Sequence, residues 1–216
     1  MTSREAPAAT GATTATSADM TLGSADLDRL GALHVQCIDD SLPALLGAGF
    51  AARLYAFLLG SESEHILCER VEGRIESAVV VSESPGDLQA RIAKGTFPHL
   101  VFASLVALFT RASFWSFLVG ALRDAAGGDE EPDHAPEITY VFTNPQLQGK
   151  KLGKRLIERV DSLMRERGIA RYFVKTLDDP SNRAIGFYER EGFERIGVRE
   201  EAGRSFIEFH KSLDQR

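Results

Sequence analysis

The stretch from Ile138 to Thr176 constrains the fold most. Ile138–Thr143 reads Ile-Thr-Tyr-Val-Phe-Thr, the β-branched and aromatic composition of a strand. Asn144-Pro145 is a turn. Lys150 to Arg167 then carries Leu152, Leu156, Val160, Leu163 and Met164 on one helical side, and Gly168 falls where a C′ glycine closes a helix. Tyr172 to Thr176 is strand-like again. A strand–helix–strand unit of this kind points to a sheet that is at least partly parallel. Asp178 to Ser181 forms a turn and cap, Asn182 to Glu191 a helix closed by Gly192, and Glu194–Arg199 with Ser205–His210 a final pair of strands. The class is α/β: a mixed, partly parallel twisted sheet flanked by helices.

Upstream, Met20 to Leu22 reads as a short strand, and Ser24 as an N-cap with Asp26 and Asp28 in the first turn. Leu27, Leu30, His34, Cys37 and Ile38 share one helical face. Asp39 to Pro43 breaks that helix, and another follows from about Phe50 to Leu59. His65–Val71 and Arg74–Ser82, separated by Glu72-Gly73, form a hairpin. The span 85–135 exceeds an ordinary connection. It reads as a helical insertion before the central strand, ending in the acidic loop Gly127 to Asp133, and it suits a pocket wall, a lid or a dimer face. Residues 19–213 are expected to form a single domain, and residues 1–18, rich in Ala, Thr and Ser without an apolar run, a disordered tail.

The formal net charge of -6 argues against a general nucleic-acid binder. Thr96 to Leu122 is the most apolar stretch, but Pro98, His99 and Arg111 interrupt it, so no membrane partner is expected. The two cysteines, Cys37 and Cys68, have no motif spacing, and the five histidines are scattered. A reducing, cytoplasmic setting and no metal follow as expectations.

Into this framework comes the segment Gln148-Gly149-Lys150-Lys151-Leu152-Gly153-Lys154. A strand leading through a glycine-bearing loop into a helix makes an anion site, because the first-turn N–H groups lack intrahelical partners and the helix dipole is positive there. Lys150, Lys151, Lys154 and Arg155 crowd this start, and no acid appears until Glu158. Cations there oppose the dipole, so a bound polyanion is the natural resolution. A Walker loop needs one more residue between the glycines and a hydroxyl where Arg155 stands, and the dinucleotide pattern GxGxxG is absent.

The loop instead resembles the Q/R-x-x-G-x-G/A motif of the GNAT superfamily of N-acetyltransferases. Gln148 and Gly153 match, while Lys151 stands where the first motif glycine usually sits. Lys151 is tolerable there with a helical, negative φ. The run from Asn182 to Phe193 resembles the superfamily's N-x-x-A-x-x-F-Y-x-x-x-G-F segment, matching at Ala184, Phe187, Tyr188, Gly192 and Phe193, with Asn182 one residue closer to the alanine than the motif's asparagine. The resemblance extends over residues 136–211 and is only general before them. It implies a GNAT-type fold and acetyl-CoA as cosubstrate. Gln148, Gly149, Lys150, Lys151, Leu152, Gly153 and Lys154 would hold the pyrophosphate. Val141, Phe142 and Thr143 would meet the pantetheine arm, Val141 supplying an N–H to the thioester oxygen, with Asn182 and Tyr188 also on the coenzyme.

Tyr188 occupies the position that donates a proton to the leaving thiolate in many relatives, or else only hydrogen-bonds the sulfur. Glu137 stands where relatives often place a carboxylate acting on the amine through water, and His134 and Asp133 are nearby. An exposed strand-start glutamate is the alternative reading. Asp39 and Asp40 lie in the loop that borders the acceptor pocket in this fold, where they could attract a cationic amine or simply be solvated. Neither cysteine has a matched base in the sequence, which favours direct transfer. The implied reaction is acetylation of a primary amine of a small molecule, an amino sugar among the candidates. A protein N-acetyltransferase and a non-catalytic coenzyme-binding module are the alternatives, and a second copy of the chain is a candidate partner.

Overall fold

The computed structural model describes residues 22–110, 135–201 and 203–213. Helices α1 (Ser24–Cys37), α2 (Leu42–Leu46) and α3 (Ala48–Leu59) precede the hairpin β1 (Glu64–Val71) and β2 (Arg74–Ser82). A 3-10 turn at Pro85–Asp87 leads into α4 (Leu88–Thr110). Then come β3 (Glu137–Thr143), α5 (Leu152–Glu166), β4 (Arg171–Leu177), α6 (Arg183–Arg190), β5 (Glu194–Glu201) and β6 (Arg204–Ser212). The strands form one six-stranded sheet in the order β1-β2-β3-β4-β6-β5. Among the described strands only β3 and β4 run parallel, as their strand–helix–strand connection allows.

The hairpin follows from its turn. Glu72 (φ 52) and Gly73 (φ 79) supply the two positive φ angles of a two-residue I′ loop. Gly168 (φ 72) closes α5 as its position suggests, with Ile169 N–H donating to Met164 O at 2.9 Å. Two expected boundaries move. Gly23, not Ser24, is the N-cap of α1, and Asp26 reaches back to accept the Gly23 N–H at 3.2 Å. Helix α5 starts at Leu152 rather than Lys150, because Lys151 is not helical.

Helices cover both sheet faces. Leu156, Ile157, Val160 and Met164 of α5 and Tyr188 of α6 pack on Val79, Val81, Ile138, Tyr172, Val174 and Phe209. On the other face Leu30 and Leu33 of α1, Leu54, Tyr55 and Leu58 of α3 and Leu88 and Ile92 of α4 pack on Ile75, Ala78, Val80 and Phe142. A buried triad locks the α1–α2 connection. His34 is fully buried. Ser41 Oγ donates to Ile38 O at 2.9 Å, so its lone pair is left to accept His34 Nε2–H at 2.8 Å. The Tyr55 hydroxyl then donates to His34 Nδ1 at 2.7 Å. The histidine is therefore a neutral Nε2–H tautomer, and burial pulls its pKa down to about 4.

The described part of the expected insertion is α4, and it docks by charge as well as by Leu88 and Ile92. Arg91 forks onto the fully buried carboxylate of Glu64, at 2.7 Å to each oxygen. The 1–18 tail, Met20 and Thr21 of the expected first strand, the acidic loop Gly127 to Asp133, and His134 lie outside the described residues. No described helix is long and apolar enough to cross a membrane.

Candidate active site

Strands β3 and β4 pair only at Glu137↔Phe173 and Ile138↔Val174, and then diverge. A bulge stands at the same level: Val81 faces Ile138 while Val80 faces Tyr140, leaving Thr139 as the extra residue. The hydroxyl of Thr139 is the buried side-chain polar atom left without a hydrogen bond among the described residues. Beyond the bulge, the register decides which amides are free. Asn144 N–H donates to Glu76 O at 2.8 Å, so 144/76, and by alternation 142/78, are the hydrogen-bonded pairs of the antiparallel ladder. The N–H and C=O groups of Val141 and the N–H of Thr143 therefore point away from β2, towards the gap that β4 leaves, while Thr143 O accepts Cys37 Sγ–H at 3.5 Å. Phe142 is different from the expectation. Its backbone is directed to β2, its O also accepts Ser77 Oγ–H at 2.8 Å, and its ring lies in the core.

The gap leads to the loop before α5. Gln148 is extended (φ -58, ψ 146), Gly149 has φ 81, and Lys151 is left-handed with φ 59 and ψ 18. The expected negative φ at Lys151 is thus wrong. The chain must reverse between Gln148 and Leu152, and at the position where the superfamily has glycine it does so in the left-handed region. For lysine that costs on the order of 1 kcal/mol. The first amide to bond back into the helix is Arg155 N–H, to Lys151 O at 3.1 Å. The N–H groups of Leu152, Gly153 and Lys154 precede it at the helix mouth. Gly153 has a packing role too: a Cβ there would sit 3.2 Å from the Phe187 ring of α6.

Three of the four basic side chains stay near this mouth. Lys150 and Lys151 are exposed, and Lys154 makes a loose pair with Glu158 at 3.7 Å. Arg155 leaves the cluster, pairing with Glu69 on β1 at 2.7 Å beside Arg159 at 3.1 Å. The loop is anchored from below by Glu76, which accepts Asn144 Nδ2–H at 2.6 Å and pairs with Arg29 of α1. Free amides along a strand gap, a helix N-terminus and three ammonium groups suit a long thioester-bearing polyanion such as acetyl-CoA.

Asn182 is the N-cap of α6, and its side chain is fully occupied. Its Oδ1 accepts Ala184 N–H at 3.0 Å, and its Nδ2 donates to Thr176 Oγ1 at 2.9 Å and Leu177 O at 2.7 Å. It ties α6 to the diverging end of β4. Tyr188 is buried among Phe187, Phe193 and Phe209, and burial alone raises its pKa well above the ordinary phenol value. It stays a neutral hydrogen-bond donor throughout the working pH range.

Tyr188 and Glu137 are on different faces. Tyr172 and Val174 point under α5 and α6 with Tyr188. By strand alternation Phe173 and Lys175 point the other way. There they line a shallow cleft with Glu137, Ile196, Arg199 and Glu208. Sequence reading singled out Glu137 but missed Lys175, Arg199 and Glu208. The available signal was a lysine inside the apolar run Tyr-Phe-Val-Lys-Thr. Asp40 and Asp39 differ in state: Asp40 is paired with Arg204 at the tip of the β5–β6 hairpin, whereas Asp39 is exposed in the α1–α2 loop.

The cysteines are poor nucleophiles. Burial raises the Cys37 thiol above its ordinary value, and pushes the Cys68 thiol up to about 12. No group of His, Cys, Asp or Glu that could hold a metal occurs among the described residues.

Residues 107–193 match the sequence profile of the acetyltransferase (GNAT) family. None of the curated proteins matches this sequence. Solved structures share the fold. An acetyltransferase superposes with a TM-score of 0.58 at 14% identity, over 90% of this chain and 98% of that one. The aminoglycoside 6'-acetyltransferase type Ii gives 0.55 at 11% identity, over 89% and 92%. The ribosomal-protein-alanine N-acetyltransferase from Brucella melitensis gives 0.54 at 15%, over 88% and 96%.

Proposed function

We propose that this chain, whose residues 107–193 match the acetyltransferase (GNAT) family and whose fold solved acetyltransferases share, is a GNAT acetyltransferase that moves an acetyl group from acetyl-CoA directly to a primary amine of a small molecule. The observation that carries this reading is the divergence of β3 from β4 after Ile138 and Val174, with the amides of Val141 and Thr143 turned into the gap. When bound, acetyl-CoA supplies the activated acetyl group. The chain's own residues do the rest. The helix-mouth amides of Leu152, Gly153 and Lys154 hold the pyrophosphate, with Gln148 and Gly149 shaping the turn and Lys150, Lys151 and Lys154 adding charge. Val141 and Thr143 pair with the pantetheine amides, and Val141 N–H faces the thioester oxygen, where negative charge develops. Glu137 takes the proton of the amine through water. Tyr188 donates a hydrogen bond to the departing sulfur, stabilising it as the C–S bond breaks and the C–N bond forms. The raised thiol pKa values argue against an acyl-cysteine route.

An aminoglycoside-type amino sugar is one candidate acceptor, on the likeness to the aminoglycoside 6'-acetyltransferase. A protein amino terminus is the second, on the likeness to the ribosomal-protein-alanine enzyme. The test is free-thiol release from acetyl-CoA with amino sugars, small amines and peptide amino termini. Turnover with a small amine supports the proposal, and turnover with peptides alone replaces it by the protein-acceptor reading. Coenzyme binding without thiol release from any acceptor would make the chain a binding module. Glu137→Gln and Tyr188→Phe should each lower kcat by about 10²-fold. Variants with wild-type turnover would remove those residues from the mechanism.

A further inference from the structure

Lys175 lies at the point where the sheet opens. It follows Val174, the last β4 residue paired to β3, and its side chain projects on the cleft face with Phe173. Its Nζ lies 3.8 Å from Glu137 Oε1 and 2.8 Å from Glu201 Oε1. The ammonium is largely buried, its side chain 26% exposed, and the Glu137 side chain 18% exposed. A half-desolvated ammonium between two carboxylates is costly unless both stay ionised. Burial acts to lower the Lys175 pKa, and the charges of Glu137 and Glu201 outweigh it, so the lysine is held charged.

We propose that Lys175 is a positioning residue for Glu137: its ammonium, shared with Glu201, fixes the Glu137 carboxylate at the mouth of the strand gap and keeps it ionised as the acceptor's base. This rests on the reading of Glu137 as that base. Among the described residues, the charged and titratable groups around Glu137 include Lys175 from β4, Arg199 and Glu201 from β5, and Glu208 and His210 from β6. Arg199 is committed to Glu208 at 2.9 Å, and His210 lies 3.7 Å from Glu194. Lys175 Nζ is a cation within ion-pair distance of Glu137, and Glu201 competes for it. An opposite charge within about 4–6 Å favours the ionised carboxylate. Removing the cation must raise the pH at which the base becomes active. Removing the competing carboxylate must lower it.

The test is the pH profile of kcat/KM for thiol release, with the KM for acetyl-CoA measured alongside. K175M should move the acidic limb up by about one pH unit. K175R should leave the limb near its wild-type position, and E201Q should move it down. The KM for acetyl-CoA should not change, because the phosphate grip lies at the start of α5 and Lys175 on the opposite face. A lysine that merely stabilised the sheet would lower activity at every pH without moving the limb. An unmoved limb in K175M overturns the proposal; if K175M does not fold, an unmoved limb in E201Q overturns it. E137Q separates the two readings. If E137Q loses activity while the K175M or E201Q limb stays put, this inference alone fails. If E137Q keeps the wild-type rate and limb, the base reading fails and takes this inference with it.

Discussion

The buried His34 should make the protein's stability fall as the pH drops below the ordinary histidine range. Its ring is fully buried, with Nε2–H donating to Ser41 and Nδ1 accepting from Tyr55. Both nitrogens are satisfied by the neutral form, and the imidazolium has no carboxylate partner among these contacts. Burial lowers its pKa from 6.5 to about 4. The unfolded chain therefore takes the proton first. The stability due to the neutral ring is fully present above pH 6.5 and is lost as pH falls from there towards about 4. That gap corresponds to about 3 kcal/mol at saturation, most of it expressed by about pH 4.5. The assay is urea unfolding followed by circular dichroism between about pH 8 and 4.5, for the wild type and His34→Gln. The glutamine variant should be less stable at pH 8, because it leaves the Ser41–Tyr55 bridge incomplete. Its deficit should shrink by about 2–3 kcal/mol at the acid end, since it has nothing to protonate there. Parallel stability curves, within ~0.5 kcal/mol over that range, would refute the reasoning. The carboxylates held below their ordinary values by partners, such as Glu64 and Asp26, act at lower pH and appear equally in both proteins.

Other perturbations follow from single contacts. Arg91→Met should cost about 3–5 kcal/mol in urea unfolding, because it strands the buried Glu64 carboxylate, and Glu64→Gln in the same chain should recover part of the loss. Lys151→Gly should relieve the left-handed strain at φ 59 and raise stability by about 1 kcal/mol, a Tm increase of about 2–4 °C. The same variant should bind coenzyme with a weaker salt dependence; salt-insensitive binding by the wild type would mean that backbone amides do most of the holding. Gly153→Ala should cost about 1–3 kcal/mol by pressing on Phe187 and should weaken coenzyme binding, and Phe187→Leu in the same chain should restore part of both.

Much of the architecture was readable because it depends on near neighbours. The Glu72-Gly73 turn, the apolar stripe of α5, the closing Gly168 and the caps around Asn182 are settled by residues within a turn of one another. Periodicity and capping chemistry report that scale directly. The loop and the Asn182–Phe193 run gave the family for the same reason, as each is contiguous in the chain. Lys151 shows the limit. Its residue type suggested a helical start, but the reversal demanded by β3, Gly149 and α5 together put it in the left-handed region.

What only the tertiary structure decided is which groups are left over once distant elements meet. The parity that frees Val141 and Thr143 and commits Phe142 comes from the β2–β3 register, which a one-residue slip would invert. The charge clasps join residues far apart in sequence: Arg155 to Glu69, Arg204 to Asp40, and Lys175 to Glu137 and Glu201. His34 is a pattern-abiding helix residue in the sequence and a desolvated base in the fold. The sequence by itself determined the elements, their order and the coenzyme-type loop, because those rest on local backbone preference. The tertiary structure decided the direction of each amide, the partner of each charge and the depth of each titratable group. Those depend on register and desolvation, which exist only after the sheet has closed and opened again between β3 and β4.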